Sequence, residues 1–445
     1  MCKHFQGVEN MIKNYEQLEE YKEELRNVLN QTTKLVDPAM ELVIYPSISR
    51  TYELCFLKDK KQIDLDKNFI FYFEKEFKKI SKTNSIISDG FYQMNYIDNR
   101  IYVSYPRKEL DYKIASFHQE PVFKEALIRA RSFGNSTGLS SIEGINNFID
   151  TYGEVDLIQI GEAKMQMQMS KIIEMISKEN IKFISISGPS CSGKTTTANK
   201  LRIGLMSIGL NPLRISLDDY YYLPSQCPLN PDGTRDLESI DSLDIKEFQK
   251  EMISLLLGKE TNLRTFHFKD KTADFNRVAK LNPNQPIIIE GIHGLNPKLW
   301  EGIDPSIIFK IYISPQPQIS ITNLKPFPFS EARLLRRLVR DEISRNTSFE
   351  ETFSMWSKVR EEEFETIYAG EENANFVFDS FYPYELSVMK ELATPNLMNF
   401  RKTSPYYEYA QSLCANLKQI KTIDIKKIPV NSTFREFIGG GLFKG

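Results

Sequence analysis

Histidine is scarce, with four in 445 residues, and the five cysteines are scattered with no two at CxxC spacing. So few ligand-type side chains, so far apart, suggest neither a zinc site nor a disulfide framework. A reducing cytosol is the simplest compartment, so a cytoplasmic protein is expected. No run of about 18 uncharged apolar residues is present, the length a membrane-spanning helix needs. The first residues lead into acidic, helix-prone sequence and lack the apolar core of a secretory signal. An excess of one charge is missing too: Lys+Arg is 57, Asp+Glu is 59, and the formal net charge is −2. That balance argues against a nucleic-acid binder working by bulk phosphate neutralisation. It leaves room for a small anion in a local basic pocket. No internal repeat or low-complexity segment is evident.

What is present is an ordinary globular mixture, 41% hydrophobic and 26% charged, long enough for two or three domains. Residues 13–31 are polar and helix-prone. Between Met40 and Val103, the runs Glu41–Tyr45, Phe69–Phe73 and Arg100–Ser104 read as strands, which predicts a mixed α+β domain. Apolar spacing predicts helices over 121–148 and 161–178, and the methionines at 165, 167, 169 and 175 read as packing.

From Lys182 the texture alternates between strand and helix. Short apolar strands are expected at Phe183–Ser187, Pro212–Ser216, Pro286–Glu290 and Ile307–Ile313. Strands alternating with helices predict a doubly wound parallel sheet, whose ligands bind at the carboxyl ends of the strands. The expected division is an α+β extension over 1–178, an α/β domain over 179–400, and a C-terminal helix and tail over 401–445.

Gly188-Pro-Ser-Cys-Ser-Gly-Lys-Thr195 matches G-x-x-x-x-G-K-[ST] in full, between a strand and a helix. Its glycines let backbone N–H groups turn inward around phosphate oxygens, and the helix N-terminus adds a favourable dipole. Gly188, Ser190, Ser192, Gly193, Lys194, Thr195 and Thr196 are therefore the expected triphosphate-binding residues. Lys194 would reach the β- and γ-phosphates, and the Thr195 hydroxyl would reach Mg²⁺. The second strand runs straight into Asp218-Asp219. A carboxylate there can take a proton from an attacking hydroxyl and help hold Mg²⁺. Glu290 ends a very apolar strand, where an acid is costly unless it faces a metal site, so Thr195, Glu290 and Asp218 are the expected metal ligands. The basic run 331–345 reads as a lid helix whose Arg side chains fold over the phosphates. Arg333 and Arg336 cannot point the same way as Arg340.

In this order, GPSCSGKTT at 188–196, ISLDDYYY at 215–222, DLESIDSLD at 236–244, IIIEGIHGLNP at 287–297 and RLLRRLVRDEISRN at 333–346 resemble the uridine kinase and phosphoribulokinase family of P-loop kinases. The resemblance spans about residues 181–381. With the tail Asn431–Gly440, it extends to long uridine-kinase-like proteins whose N-terminal extension looks like threonyl-tRNA synthetase accessory sequence. It implies ATP and Mg²⁺ as cofactors and phosphoryl transfer to the 5′-hydroxyl of a nucleoside, uridine or cytidine, in pyrimidine salvage. It implies Asp218 as catalytic base, Tyr221 as a substrate-lining aromatic, Asp241 on the ribose hydroxyls, and Arg337, Arg340 and Arg345 in the phosphate lid. Phe266 and Lys271 stand where the family reads the pyrimidine with Tyr and His. Asn346 and Thr347 replace a lid Gly and Arg. These departures leave open a sugar or polyol kinase close to phosphoribulokinase. From another class, a nucleotide-dependent switch or RNA-associated ATPase is the alternative. The extension has no catalytic synthetase motif; a substrate-covering, dimerising or regulatory role is open to it, with a homo-oligomer among the expectations.

Overall fold

The computed structural model describes residues 12–87, 91–229, 233–236, 238–267, 270–364 and 368–443. Residues 1–11, read above as lacking an apolar leader core, lie outside them. The chain forms two compact units that both draw on several stretches of sequence. Of the described residues, the first draws on 12–153, 317–332 and 386–423; the second draws on 154–316, 333–385 and 424–443. Among the described residues, no helix is long and apolar enough to cross a membrane.

The first unit is α+β. Its antiparallel sheet runs Glu41–Pro46, Tyr52–Lys58, Arg100–Ser104, Gln93–Ile97, with Lys61–Gln62 paired to the second of these. The helices Tyr15–Val36 and Lys67–Thr83 close its core, where Leu25, Phe56, Phe73, Phe77 and Ile101 are fully buried. The strand expected at Phe69–Phe73 is the start of the second helix instead. Asp66 caps it, accepting from the Phe69 N–H at 2.7 Å. Phe73 and Phe77, four apart, turn to the core while Phe71 and Tyr72 face solvent. An aromatic run is ambiguous between the two periods; the cap and the Lys/Glu-rich continuation decide for helix. The predicted helix over 121–148 is divided: Pro121–Thr137 ends at Gly138 in the left-handed conformation, and Ile142–Tyr152 starts afresh on a Ser141 cap.

The second unit carries a five-stranded sheet in the order Phe376–Asp379, Ile308–Ser314, Phe183–Ser187, Ile287–Glu290, Leu213–Ser216, and every pairing is parallel. The four expected strands are present, with ends shifted by a residue. The fifth, Phe376–Asp379, was not legible in the sequence. In chain order the sheet reads fifth, fourth, first, third, second, so the strand before the glycine loop is central. A sheet buried on both faces needs near-continuous apolar strands, and Ile287, Ile288 and Ile289 meet that need with no exposed surface. The helix Glu154–Ser177 belongs to this unit; it buries Met165 and Met169 and leaves Met167 exposed. A separate antiparallel hairpin, Thr261–His267 with Thr272–Ala279, stands off the parallel sheet.

Candidate active site

The carboxyl ends of the central strands open into a cavity of about 550 Å³. The loop after Phe183–Ser187 forms its floor. A Cβ at Gly188 would lie 2.0 Å from the Ile313 carbonyl oxygen, so no side chain fits there. Gly193 has φ 92°, a left-handed turn that favours glycine. Both spacings are therefore conformational requirements. The helix Lys194–Ser207 starts at once, presenting first-turn N–H groups that have no intrahelical acceptor. The Lys194 ammonium donates to the carbonyls of Gly188 (2.8 Å) and Pro189 (3.0 Å), and burial pulls its pKa down. Among the described residues, Ser192 Oγ and Thr196 Oγ1 are buried with no hydrogen-bond partner. Unsatisfied hydroxyls, inward N–H groups and one ammonium suit a polyphosphate.

Asp218 and Asp219 part company in the turn Leu217–Tyr220. Asp219 accepts from the Phe266 N–H at 3.2 Å and so ties the hairpin down. Asp218 faces the cavity. Its carboxylate is open to the cavity, yet protein walls surround it. This confinement, then the Glu290 charge, pushes its pKa up to about 6, with Lys194 pulling the other way. Glu290, almost fully buried, accepts from Arg214 at 3.2 Å and from Ser216 Oγ at 3.1 Å. Thr195, Asp218 and Glu290 line the same cavity. Three oxygen-bearing side chains beside a polyphosphate cradle are the hard donor set that Mg²⁺ takes.

Of the residues expected to meet the acceptor, Tyr221, Phe266, Lys271 and Arg337 all line the cavity. Asp241 is not among the lining residues. Its carboxylate is exposed and pairs with Lys298 at 2.9 Å. Four acids lie between 236 and 244, and the neighbouring backbone engages two of them. Asp236 accepts from the N–H groups of Glu238 and Ser239, and Asp244 caps the helix Ile245–Leu256. Glu238 is the one that turns into the cavity, where burial raises its pKa against the pull of Arg337 and Lys194. His293, kept neutral by burial with a pKa lowered to about 4, donates Nε2–H to the Glu238 carbonyl at 2.7 Å. Sequence spacing alone cannot tell which acid of such a cluster is unengaged.

The helix Phe329–Arg345, expected as a lid, splits its arginines into two sets. Arg333 and Arg336 are buried. Arg333 pairs with Glu363 and donates to the Ser190 carbonyl at 2.9 Å; Arg336 pairs with Glu385 at 2.6 Å and donates to the Cys191 carbonyl at 3.2 Å. They clamp the glycine loop from outside. Arg337, Arg340 and Arg345 line the cavity and converge on the buried Asp341, at 3.4, 2.6 and 3.6 Å. Asn346, which stands where the resembled family has a glycine, follows the helix at φ 54°, a left-handed conformation that Asn tolerates better than most residues.

Comparison with known proteins agrees with this geometry. The model of the phosphoribulokinase / uridine kinase family matches residues 183–384. A uridine kinase of Mycoplasma genitalium is 30% identical over 176 residues, 40% of this chain and 74% of that protein. The chain belongs to this family. A uridine kinase of Staphylococcus haemolyticus is 26% identical over 182 residues, 40% of this chain and 78% of that one. A solved structure described as a possible uridine kinase from Bacillus stearothermophilus aligns with 48% of this chain and 98% of its own, at 18% identity and a TM-score of 0.30. The match leaves out residues before 183, which hold most of the first unit, and the tail after 384. A phosphoryl-transferring kinase with a P-loop nucleotide site is the activity that membership carries.

Proposed function

We propose that the chain transfers the terminal phosphoryl group of ATP to the 5′-hydroxyl of a nucleoside, with uridine and cytidine the first candidates. The observation that carries this reading is the meeting, in one cavity, of the glycine loop with the Asp218 carboxylate, whose pKa of about 6 suits a base that works near neutrality. The loop N–H groups and Lys194 would hold the phosphates. Thr195, Glu290 and Asp218 would hold Mg²⁺, which supplies neutralisation of charge on the phosphate oxygens when bound. Asp218 takes the proton from the acceptor hydroxyl and aligns its oxygen. Glu238 accepts hydrogen bonds from the acceptor's other hydroxyls, the part that the family resemblance implies for Asp241. Tyr221 and Phe266 offer flat apolar faces for a base. Arg337, Arg340 and Arg345 screen the transferring group and keep water out, since hydrolysis is the competing reaction. Most of the acceleration is then positioning and charge stabilisation.

Phe266 favours a second reading, a sugar or polyol kinase, because its ring has no group to hydrogen-bond a pyrimidine, and such bonds carry large discrimination. The first unit is taken as an accessory domain, on the resemblance of its sequence to synthetase accessory sequence. Soluble cytoplasmic salvage is the setting this chemistry fits. An ADP-release assay across a panel of nucleosides, sugars and polyols tests the assignment. Stimulation by pyrimidine nucleosides is expected. Stimulation by sugars alone would replace the acceptor, and ATP turnover that no acceptor changes would leave a switch or ATPase.

A further inference from the structure

The tail motif 431–440 plays no part in the chemistry above, yet it reaches the phosphate cradle. Its anchors are buried aromatics. Phe434 packs against Tyr382 and Tyr384, with ring centroids 5.7 and 5.6 Å away, and is fully buried. Phe437 is also buried and carries the Arg336 guanidinium 4.5 Å from its ring centroid. Thr433 Oγ1 shares a hydrogen bond with the Tyr382 hydroxyl at 2.5 Å. Arg435 donates to the carbonyls of Ile425 and Ile428, at 2.9 and 2.6 Å, which closes the tail on itself. Between these fixed points, Glu436 extends into the cavity, and its Oε2 accepts from the Thr196 N–H at 3.2 Å.

Thr196 N–H is a first-turn donor of the helix that follows the glycine loop. Such donors have no intrahelical partner and take an anion. Here the anion is a side chain of the same chain. A carboxylate and a phosphate oxygen compete for one N–H, and their like charges oppose each other beside it. The Phe437 ring lies 3.8 Å from where a Cβ of Gly193 would stand, so the tail abuts the loop itself.

We propose that the tail is a built-in competitor for the nucleotide. Glu436 stands in for a phosphate at Thr196 N–H, and nucleotide binds only as that side chain swings away, with Phe434 and Phe437 staying anchored. The device weakens apparent nucleotide affinity by the fraction of molecules whose loop is open. This rests on the reading that the loop holds a nucleoside triphosphate.

The test measures binding of ATP with Mg²⁺, and separately of inorganic tripolyphosphate, to the full chain by calorimetry. Wild type is compared with Glu436→Gln and Glu436→Ala. Glu436→Gln keeps shape and removes charge, and matching melting temperatures establish that the variants are folded. Both ligands should bind about tenfold more tightly to the variants, the scale that separates a hydrogen bond to a charged group from one to a neutral group. Unchanged binding in the variants, with wild type still binding ATP, overturns the competitor and leaves the triphosphate reading intact. Weaker binding overturns it too, because Glu436 would then support the ligand. Failure of every form, wild type included, to bind either ligand overturns the triphosphate reading and the competitor with it.

Discussion

The imidazole of His293 donates Nε2–H to the main-chain carbonyl of Glu238 at 2.7 Å. This bond fixes the loop that carries the Glu238 carboxylate to the loop that follows the Glu290 strand, so two acids of one cavity are held in register. The bond itself favours the protonated ring, but burial outweighs it and holds the His293 pKa at about 4.

The sign of the resulting pH dependence follows. The unfolded histidine, with its ordinary pKa of about 6.5, binds a proton between pH 6.5 and 4 that the folded one refuses. Stability is full above about pH 6.5 and falls as pH drops, by up to about 1.4 kcal/mol per unit, until about pH 4. Thermal melts from pH 4 to 7 should show a steeper loss in wild type than in His293→Gln. Equal slopes would remove His293 from this role.

Catalysis should have its own profile. Asp218 works only as the carboxylate, so kcat/KM should rise as pH passes through about 6, well above the ordinary aspartate range. Asp218→Asn should lower transfer by about 10²- to 10⁴-fold while ATP still binds. Initial rates set beside nucleotide binding separate the two effects. Normal transfer by this variant would remove Asp218 from its assigned part.

Lys194→Ala should lower turnover by at least about 10²- to 10³-fold, as for other losses of a donor aimed at developing charge. The deletion removes the ammonium that now bonds Gly188 and Pro189 carbonyls. A melting temperature near that of wild type, alongside lost turnover, is the expected pair of readings.

The two sets of lid arginines should behave differently. Arg336 and Glu385 are both fully buried, so Arg336→Ala leaves an uncompensated acid and should cost about 3–5 kcal/mol of stability. Arg340→Ala, at the cavity edge, should leave the melting temperature almost unchanged and reduce kcat. Denaturant unfolding and steady-state rates on both variants discriminate them. Asp341→Asn should act on both readouts, because one buried carboxylate serves three guanidiniums.

The readability of this chain depended on distance along it. The glycine loop and the acids at strand ends are local patterns: a backbone turn, a helix start and an apolar strand need only neighbouring residues, and their spacing survives in the fold. Phe376–Asp379 is no shorter than Leu213–Ser216 or Ile287–Glu290, but no glycine loop or acidic motif beside it marks it out, and its strand character comes from pairing with Ile311–Ser314. Phe69–Phe73 satisfied either period until the Asp66 cap was considered. Glu238 could not be told from Asp241, because the choice lies in which acids the local backbone occupies. Glu436 contacts Thr196 across 240 residues, and no local pattern reports such a pairing.

The hairpin Thr261–Ala279 supplies Phe266 and Lys271 to the cavity, yet shares no ladder with the parallel sheet that bears the glycine loop, Asp218 and Glu290. It is tied to that frame by side chains and main chain rather than by a ladder: the Phe266 N–H donates to Asp219 and the Arg277 guanidinium donates to the Arg214 carbonyl. On the proposed function, part of the acceptor's surroundings is thus carried on a piece of backbone outside the sheet that bears the phosphate loop. Grafting another hairpin onto this frame, with Asp219 retained, is a route to a kinase of altered diet whose chemical machinery has not been touched.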